Sequence, residues 1–346
     1  MNWEILPLTN QLGSWSGIWD DLNAHLYNSH PFSDSRFVNA LLKHFGNGTE
    51  HLCIHRSVGN IDGLLILRYR GRGIWTQFVP SQAPAIPILV ENADILRGLF
   101  SSLSPFAWLI ELLNMDPEFC PSFPFNKDFC LRIVPHALTI NINLKSSFES
   151  YWKERSKNII KNIRRYHRRI VNELGLPILK VLTNPHLMHD AVAHYGGLES
   201  DGWKKRTGTA INIENKQGSF YSEVMTAFAA TGQAKVAEYR IGQRLIASRL
   251  IISNNKIVII LKTTYDESLA RFAPGRLHLR DTLQYIFREN QHNSVEFYTN
   301  ATQDQLTWAT GQRHISHVMI FRTALYARAY DLYHTIRLLL QKYTGK

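Results

Sequence analysis

Residues 235 to 290 place the tightest limit on what this chain can fold into. Three runs rich in β-branched and aromatic residues, Lys235 to Ile241, Arg244 to Ser253 and Lys256 to Thr264, are separated only by Gly242-Gln243 and Asn254-Asn255. Loops that short join antiparallel strands, so the segment reads as a three-stranded meander. It continues through Arg271-Phe272-Ala273-Pro274-Gly275-Arg276 into an amphipathic helix, Leu277 to Asn290. A sheet followed at once by a helix with one apolar face predicts an α/β (α+β) fold with mixed, mostly antiparallel sheets flanked by helices.

The rest of the chain extends this pattern. His51 to Arg56, Leu64 to Arg70, Ile74 to Val79 and Phe106 to Met115 read as strands, with a helix over Glu91 to Leu103. Proline-rich stretches at Pro117, Pro121, Pro124 and Pro135 then put a domain boundary near residue 140, and a length of 346 residues suits two domains, 1–140 and 141–346. Beyond the boundary, Tyr151 to Leu174 reads as one long helix, apolar along Ile159, Ile160, Ile163, Ile170 and Val171 and basic elsewhere. Later elements are a strand at Ile178 to Leu182, helices at Pro185 to Tyr195 and Phe220 to Thr231, strands near Val295 to Tyr298 and Val318 to Phe321, and a helix from Ala324 to Tyr343.

With 45% hydrophobic and 19% charged residues the chain has the balance of an ordered protein, which excludes disorder as its main state. A formal charge of +11 favours acidic partners without choosing among them. Cys53, Cys120 and Cys130 form neither a CxxC pair nor an even framework, and the start Met1-Asn2-Trp3-Glu4 has no signal-peptide pattern, so a reducing cytoplasm is expected. No apolar run reaches the ~20 residues of a membrane span. His186, His189 and His194 share no helical face with a completing ligand, so no metal site is expected. Gly71-Arg72-Gly73 precedes a strand and lacks the helix of a dinucleotide fingerprint, and Walker, nucleophile-elbow and kinase motifs are absent.

The basic segment Phe148 to Arg169, Trp203-Lys204, Leu261 to Glu267, Phe272-Ala273-Pro274-Gly275-Arg276-Leu277, Trp308 and Arg322 occur in this order. The set resembles the CelD-like (cellulose-biosynthesis-type) acyltransferases of the GNAT superfamily, relatives of the Fem-type peptidoglycan aminoacyltransferases. The resemblance spans roughly residues 145 to 325, with the first half as a degenerate companion GNAT-like domain. It implies a thioester donor in a cleft where two central strands splay apart, with donor phosphates at the next helix N-terminus. That assigns Arg271, Pro274, Gly275, Arg276 and Leu277 to the donor. The usual loop pattern, Gln/Arg-x-x-Gly-x-Gly/Ala, is broken at Pro274 and Arg276.

Lys262, at the end of the apolar run Ile257 to Leu261, can bind an acidic substrate or steady developing negative charge, and equally can be a strand-end lysine reaching solvent. Alternation puts it on the face of Val258 and Ile260. Asp266 is a possible base or loop cap, and Tyr265 can protonate a leaving thiolate or simply pack. Trp203 and Lys204 suit an anionic acceptor such as a sugar phosphate. Acyl coenzyme A is the default donor, an acyl carrier protein the second and aminoacyl-tRNA the third. No tightly bound cofactor is expected. A non-catalytic binding subunit is the reading from another class.

Overall fold

A computed structural model describes residues 2–123, 130–200, 211 and 214–344 of the chain. It forms two compact units: Met1–Tyr27, Gly46–Ala137 and His314–Lys346 make the first, and Asn28–Phe45 with Leu138–Arg313 the second. A single cut near residue 140 does not describe this grouping, because two segments pack by side-chain complementarity with sequence-distant partners. In the second unit the helix Ser35–Phe45 sets Phe37 and Phe45 against Phe220, with ring centroids 5.5 and 5.3 Å apart, and Lys43 pairs with Glu223 at 2.8 Å. In the first unit Val318 to Phe321 pair with Leu112 to Leu109, and the late motif residue Arg322 donates to the carbonyls of Phe100 and Pro105.

The first unit is a mixed sheet over a core of Trp3, Leu65, Leu67, Trp75, Leu96, Ile110 and Leu112. Its strands Asn2–Pro7, Glu50–Ser57, Asn60–Gly71 and Ile74–Gln77 are antiparallel neighbours, and Ile74–Gln77 then pairs in parallel with Leu109–Met115 over three residues. The predicted helix over 91–103 is instead a 3-10 segment, Ala93–Gly98, and one helical turn, Leu99–Ser102. Gly98 lies between them, against Trp3, and glycine in a helix interior is entropically unfavourable. The helices Ser16–Tyr27 and Ser35–Phe45 and the strand Asn2–Pro7 add to the elements expected from the sequence.

Proline 135 does not end an element: the strand Leu131–Asn143 runs through it, with Pro135 exposed, where a missing N–H is tolerated. The long helix expected from Tyr151 to Leu174 is two helices, Phe148–Lys153 and Lys157–Glu173. Ser156 starts the second by accepting from the Ile159 N–H, and Arg155 turns back to the carbonyls of Tyr151, Trp308 and Ala309. A capping serine gives the first-turn amides a partner, so the break is encoded locally.

In the second unit the strand order is Leu131–Asn143 (its last residues), Ser294–Glu296, Ile257–Tyr265, Arg244–Ser253, Ala234–Ile241 and Ile178–Leu182. The meander is antiparallel as predicted. One face is covered by Lys157–Glu173 and Pro274–Glu289, whose Ile159, Ile163, Leu277 and Leu283 pack with Ala247, Ile251, Val258 and Ile260. Met188–Ser200 and Lys216–Ala229 pack on each other and on the sheet. Among the described residues no helix is long and apolar enough to cross a membrane.

Candidate active site

Strand Ile257–Tyr265 and the parallel strand Ser294–Glu296 pair only at Ile257 with Ser294, Val258 with Val295 and Ile259 with Glu296. Their short pairing leaves the second half of the longer strand without that neighbour, so the sheet opens there. Residues 257–260 are buried on both faces and read as a continuous aliphatic run. Immediately after them the register with Arg244–Ser253 slips: Ile251 faces Ile260, but Leu250 faces Lys262. Leu261 is thus the extra residue of a β-bulge, and an insertion of one residue reverses every later side chain.

Lys262 is turned by that bulge away from Val258 and Ile260, which corrects the simple alternation. Half-buried, its Nζ sits 5.5 Å from the ring centroid of Tyr221 on Lys216–Ala229. Tyr265 emerges on the other face, 39% exposed, with its ring 3.3 Å from where a Cβ on Gly275 would be. The two residues therefore lie on opposite faces. Asp266 caps the segment Glu267–Phe272 by accepting from the Ser268 N–H at 3.0 Å, and it also accepts from Ser268 Oγ and Arg244 Nη2, each at 2.6 Å. Partial burial raises its pKa, but the Ser268 and Arg244 hydrogen bonds and the Arg244 charge outweigh that and hold the carboxyl below its ordinary value. These contacts give Asp266 the geometry of a cap.

At the loop, the left-handed residue is Ala273, at φ 50° and ψ 51°, and not Gly275, which is the second residue of the helix Pro274–Glu289. Pro274 is preorganised for a first helical position and has no N–H. Arg276 and Leu277 both donate back to the Ala273 carbonyl, at 3.0 and 3.2 Å. Among the described residues this leaves the Gly275 amide as the donor the first turn offers outward. Arg271 is paired with Glu173 and Arg276 with Asp304, at 2.7 and 2.6 Å, while Leu277 is core. Trp203 and Lys204 lie outside the described residues.

Sequence reasoning missed the groups behind this loop. Fully buried Arg249 donates to the Gly275 carbonyl at 2.8 Å, and burial pulls its guanidinium down to about 9, which leaves it charged at neutral pH. His278 is fully buried and stacks on Tyr239 at 5.4 Å and 12°. Burial and the Arg249 charge pull it well below the ordinary imidazole value, outweighing the nearby Ala237 backbone, which acts the other way. The folded ring is neutral, so below about pH 6.5 the unfolded chain binds the extra proton and stability falls as pH falls. Melting curves from about pH 7.5 to about pH 5 are expected to show a falling Tm, less steep in His278→Gln. His292 and His317 are shifted the same way and keep part of the slope. Equal slopes in the two proteins would clear His278 of the effect.

A second buried network stands where the parallel strands part. Tyr298 has a positive φ of 46°, uncommon and strained for an aromatic residue. His30 Nδ1 accepts from the Phe32 N–H at 3.2 Å, so the neutral ring carries its proton on Nε2 and donates to Tyr298 Oη at 3.1 Å. Arg313 lies 3.5 Å from the same oxygen and 2.9 Å from Glu296, which Ser294 Oγ also reaches at 2.7 Å. His30 lies far from Tyr298, Arg313 and Glu296 in sequence, and no motif marks the set. Among the described residues no three His, Cys, Asp or Glu side chains gather as a metal site.

A meander, a three-residue parallel pair and an intervening helix with its turn at the strand exit make up the architecture of this unit. Residues 157–305 match the family described as the acetyltransferase (GNAT) domain. No curated protein matches the sequence. The fold is similar to the crystal structure of FemX, with a TM-score of 0.58 and 10% identity over 93% of this chain and 98% of that one. It is also similar to the C-terminal domain of a protein described as a lysylphosphatidylglycerol synthetase from Agrobacterium fabrum, at 0.55 and 12% over 93% and 97%. L-PGS from Bacillus licheniformis scores 0.53 at 12% identity, over 88% and 91%. At such identities the likeness is one of fold. It covers both units, and the three-residue parallel pairing recurs in each.

Proposed function

We propose that this chain transfers an acyl group from a thioester to an amine or hydroxyl of a small or cell-envelope-related acceptor, in the manner of the CelD-like enzymes its motifs resemble. The opening of the sheet beyond Ile259 and Glu296, with the Gly275 turn on one face and Lys262 on the other, carries this reading. The donor phosphate lies at the Gly275 amide. The acceptor lies on the Lys262 side, where a half-buried cation holds an acidic group. Attack of the acceptor on the acyl carbon forms the new C–N or C–O bond, and collapse of the tetrahedral intermediate breaks the C–S bond. The unpaired backbone at the Leu261 bulge serves the oxyanion, and the thiolate is protonated from Tyr265 or from the acceptor's released proton. Trp203 and Lys204 belong to the acceptor side in this reading. Free Cys53, Cys120 and Cys130 support a reducing compartment, and in this reading the chain works in the cytoplasm.

A thermal-shift panel tests the donor. An acyl thioester at about 100 times its Kd stabilises the folded state by about 2.7 kcal/mol, so Tm is expected to rise with acyl coenzyme A or acyl carrier protein. A rise with aminoacyl-tRNA alone would move the chain to amide-forming, tRNA-dependent transfer. No shift with any of the three would leave a binding subunit without a donor.

A further inference from the structure

We infer that the exposed face of the Lys157–Glu173 helix docks an acidic acyl carrier protein, which delivers the thioester to the adjoining loop. The inference rests on the thioester reading above and specifies the donor. At 100° per residue, Lys157, Lys161, Arg164, Arg165 and Arg168 fall within an arc of about 100°, opposite buried Ile159, Ile163 and Ile170. All five are exposed. Among the described residues none has an acidic partner, although like charges at three- and four-residue spacing repel. Together with Ile160 they line a groove of about 470 Å³.

Charge at the site is divided in a way that suits a carrier. Both loop arginines are neutralised, Arg271 by Glu173 and Arg276 by Asp304. Pro274 supplies no N–H, and the first turn offers one outward amide. That is little to hold a pyrophosphate, but enough for the single phosphodiester of carrier-bound phosphopantetheine. Unneutralised cations stand instead on the helix beside the loop: Arg169 donates to the Arg271 carbonyl at 3.4 Å, and Glu173 of the same helix holds the Arg271 side chain. A donor whose negative charge lies on a protein body would meet attraction there. The floor of the groove, half-buried Ile160, is aliphatic. The Arg165 guanidinium lies over one face of the half-buried Tyr166 ring, 5.1 Å from its centroid, and competes there with base stacking. An amphipathic acidic helix fits this surface better than RNA.

Fluorescence anisotropy of a labelled holo acyl carrier protein with the full chain tests the inference, with acetyl phosphopantetheine binding followed by calorimetry. Wild type is expected to bind the carrier and to lose affinity as salt rises. Arg164→Glu/Arg165→Glu/Arg168→Glu should weaken carrier binding roughly 10- to 100-fold, the scale of electrostatic steering, while the small thioester binds both proteins alike. Lys157→Ala/Lys161→Ala/Arg168→Ala, which introduces no new charge, should show a smaller loss in the same direction should the reversed helix fail to fold. Equal carrier binding by wild type and variants would overturn the docking surface. So would wild type that binds the small thioester but not the carrier, or that binds tRNA or phosphatidylglycerol vesicles in its place. Failure of wild type to bind either thioester would overturn the acyl-transfer reading itself.

Discussion

Gly275→Val is expected to lower acyl transfer by at least about 100-fold, equivalent to about 2.7 kcal/mol of transition-state stabilisation, while the melting temperature changes little. A Cβ at this position would stand 3.3 Å from Cδ1 of Tyr265, tight enough that the ring must give way. The branch would also cover the one amide that the first turn presents outward. Because Gly275 already has helical backbone, valine there causes no φ strain, and removing glycine offsets part of the contact cost. Gly275→Ala should fall between the two. Steady-state kinetics with the best donor of the thermal-shift panel, beside a melting curve, make the test. Wild-type turnover in the valine variant would take the loop out of the mechanism.

Lys262→Met is expected to cost activity far more than stability. The ammonium over Tyr221 is half-buried, and a cation in such a position contributes about 0.5–2 kcal/mol through the ring. Methionine keeps most of the stem and recovers part of this through its own aromatic contact. Activity has no such substitute if the cation holds an acidic acceptor or steadies the developing oxyanion, and a fall of about 100-fold or more in kcat/KM follows from the scale of such groups. Lys262→Arg, which keeps the charge, should recover part of it. Small and equal effects on rate and melting temperature would make Lys262 a surface lysine.

Both predictions depend on the Leu261 bulge, and the bulge shows how far the sequence reaches. The aliphatic run Ile257 to Leu261 identified a buried strand, and alternation within it fixes the opposite faces of Ile259 and Ile260. One inserted residue then reversed Lys262 relative to Val258 and Ile260. Nothing in the composition of Leu261 announces this, because a bulge is set by pairing with a neighbouring strand. At the loop, Pro274-Gly275 correctly marked a strand-to-helix turn. The strained residue turned out to be Ala273, and the reason for glycine is the ring of Tyr265.

By itself the sequence determined the elements whose causes are local. Two-residue turns specified the meander, and the capping side chain of Ser156 is a local cause of the break in the basic helix. The 3.6-residue period separated the isoleucines of that helix from its lysines and arginines. Tertiary structure alone decided which distant residues share an interior. The sequence gives no local sign that Asn28–Phe45 packs against Phe220, that His30 donates to Tyr298, or that Arg249 holds the Gly275 carbonyl. Local preferences act over a turn or two of chain. A buried polar group must instead find its partner wherever the folded chain brings one, because leaving it unpaired costs about 1–3 kcal/mol, and that search runs through space and not along the sequence.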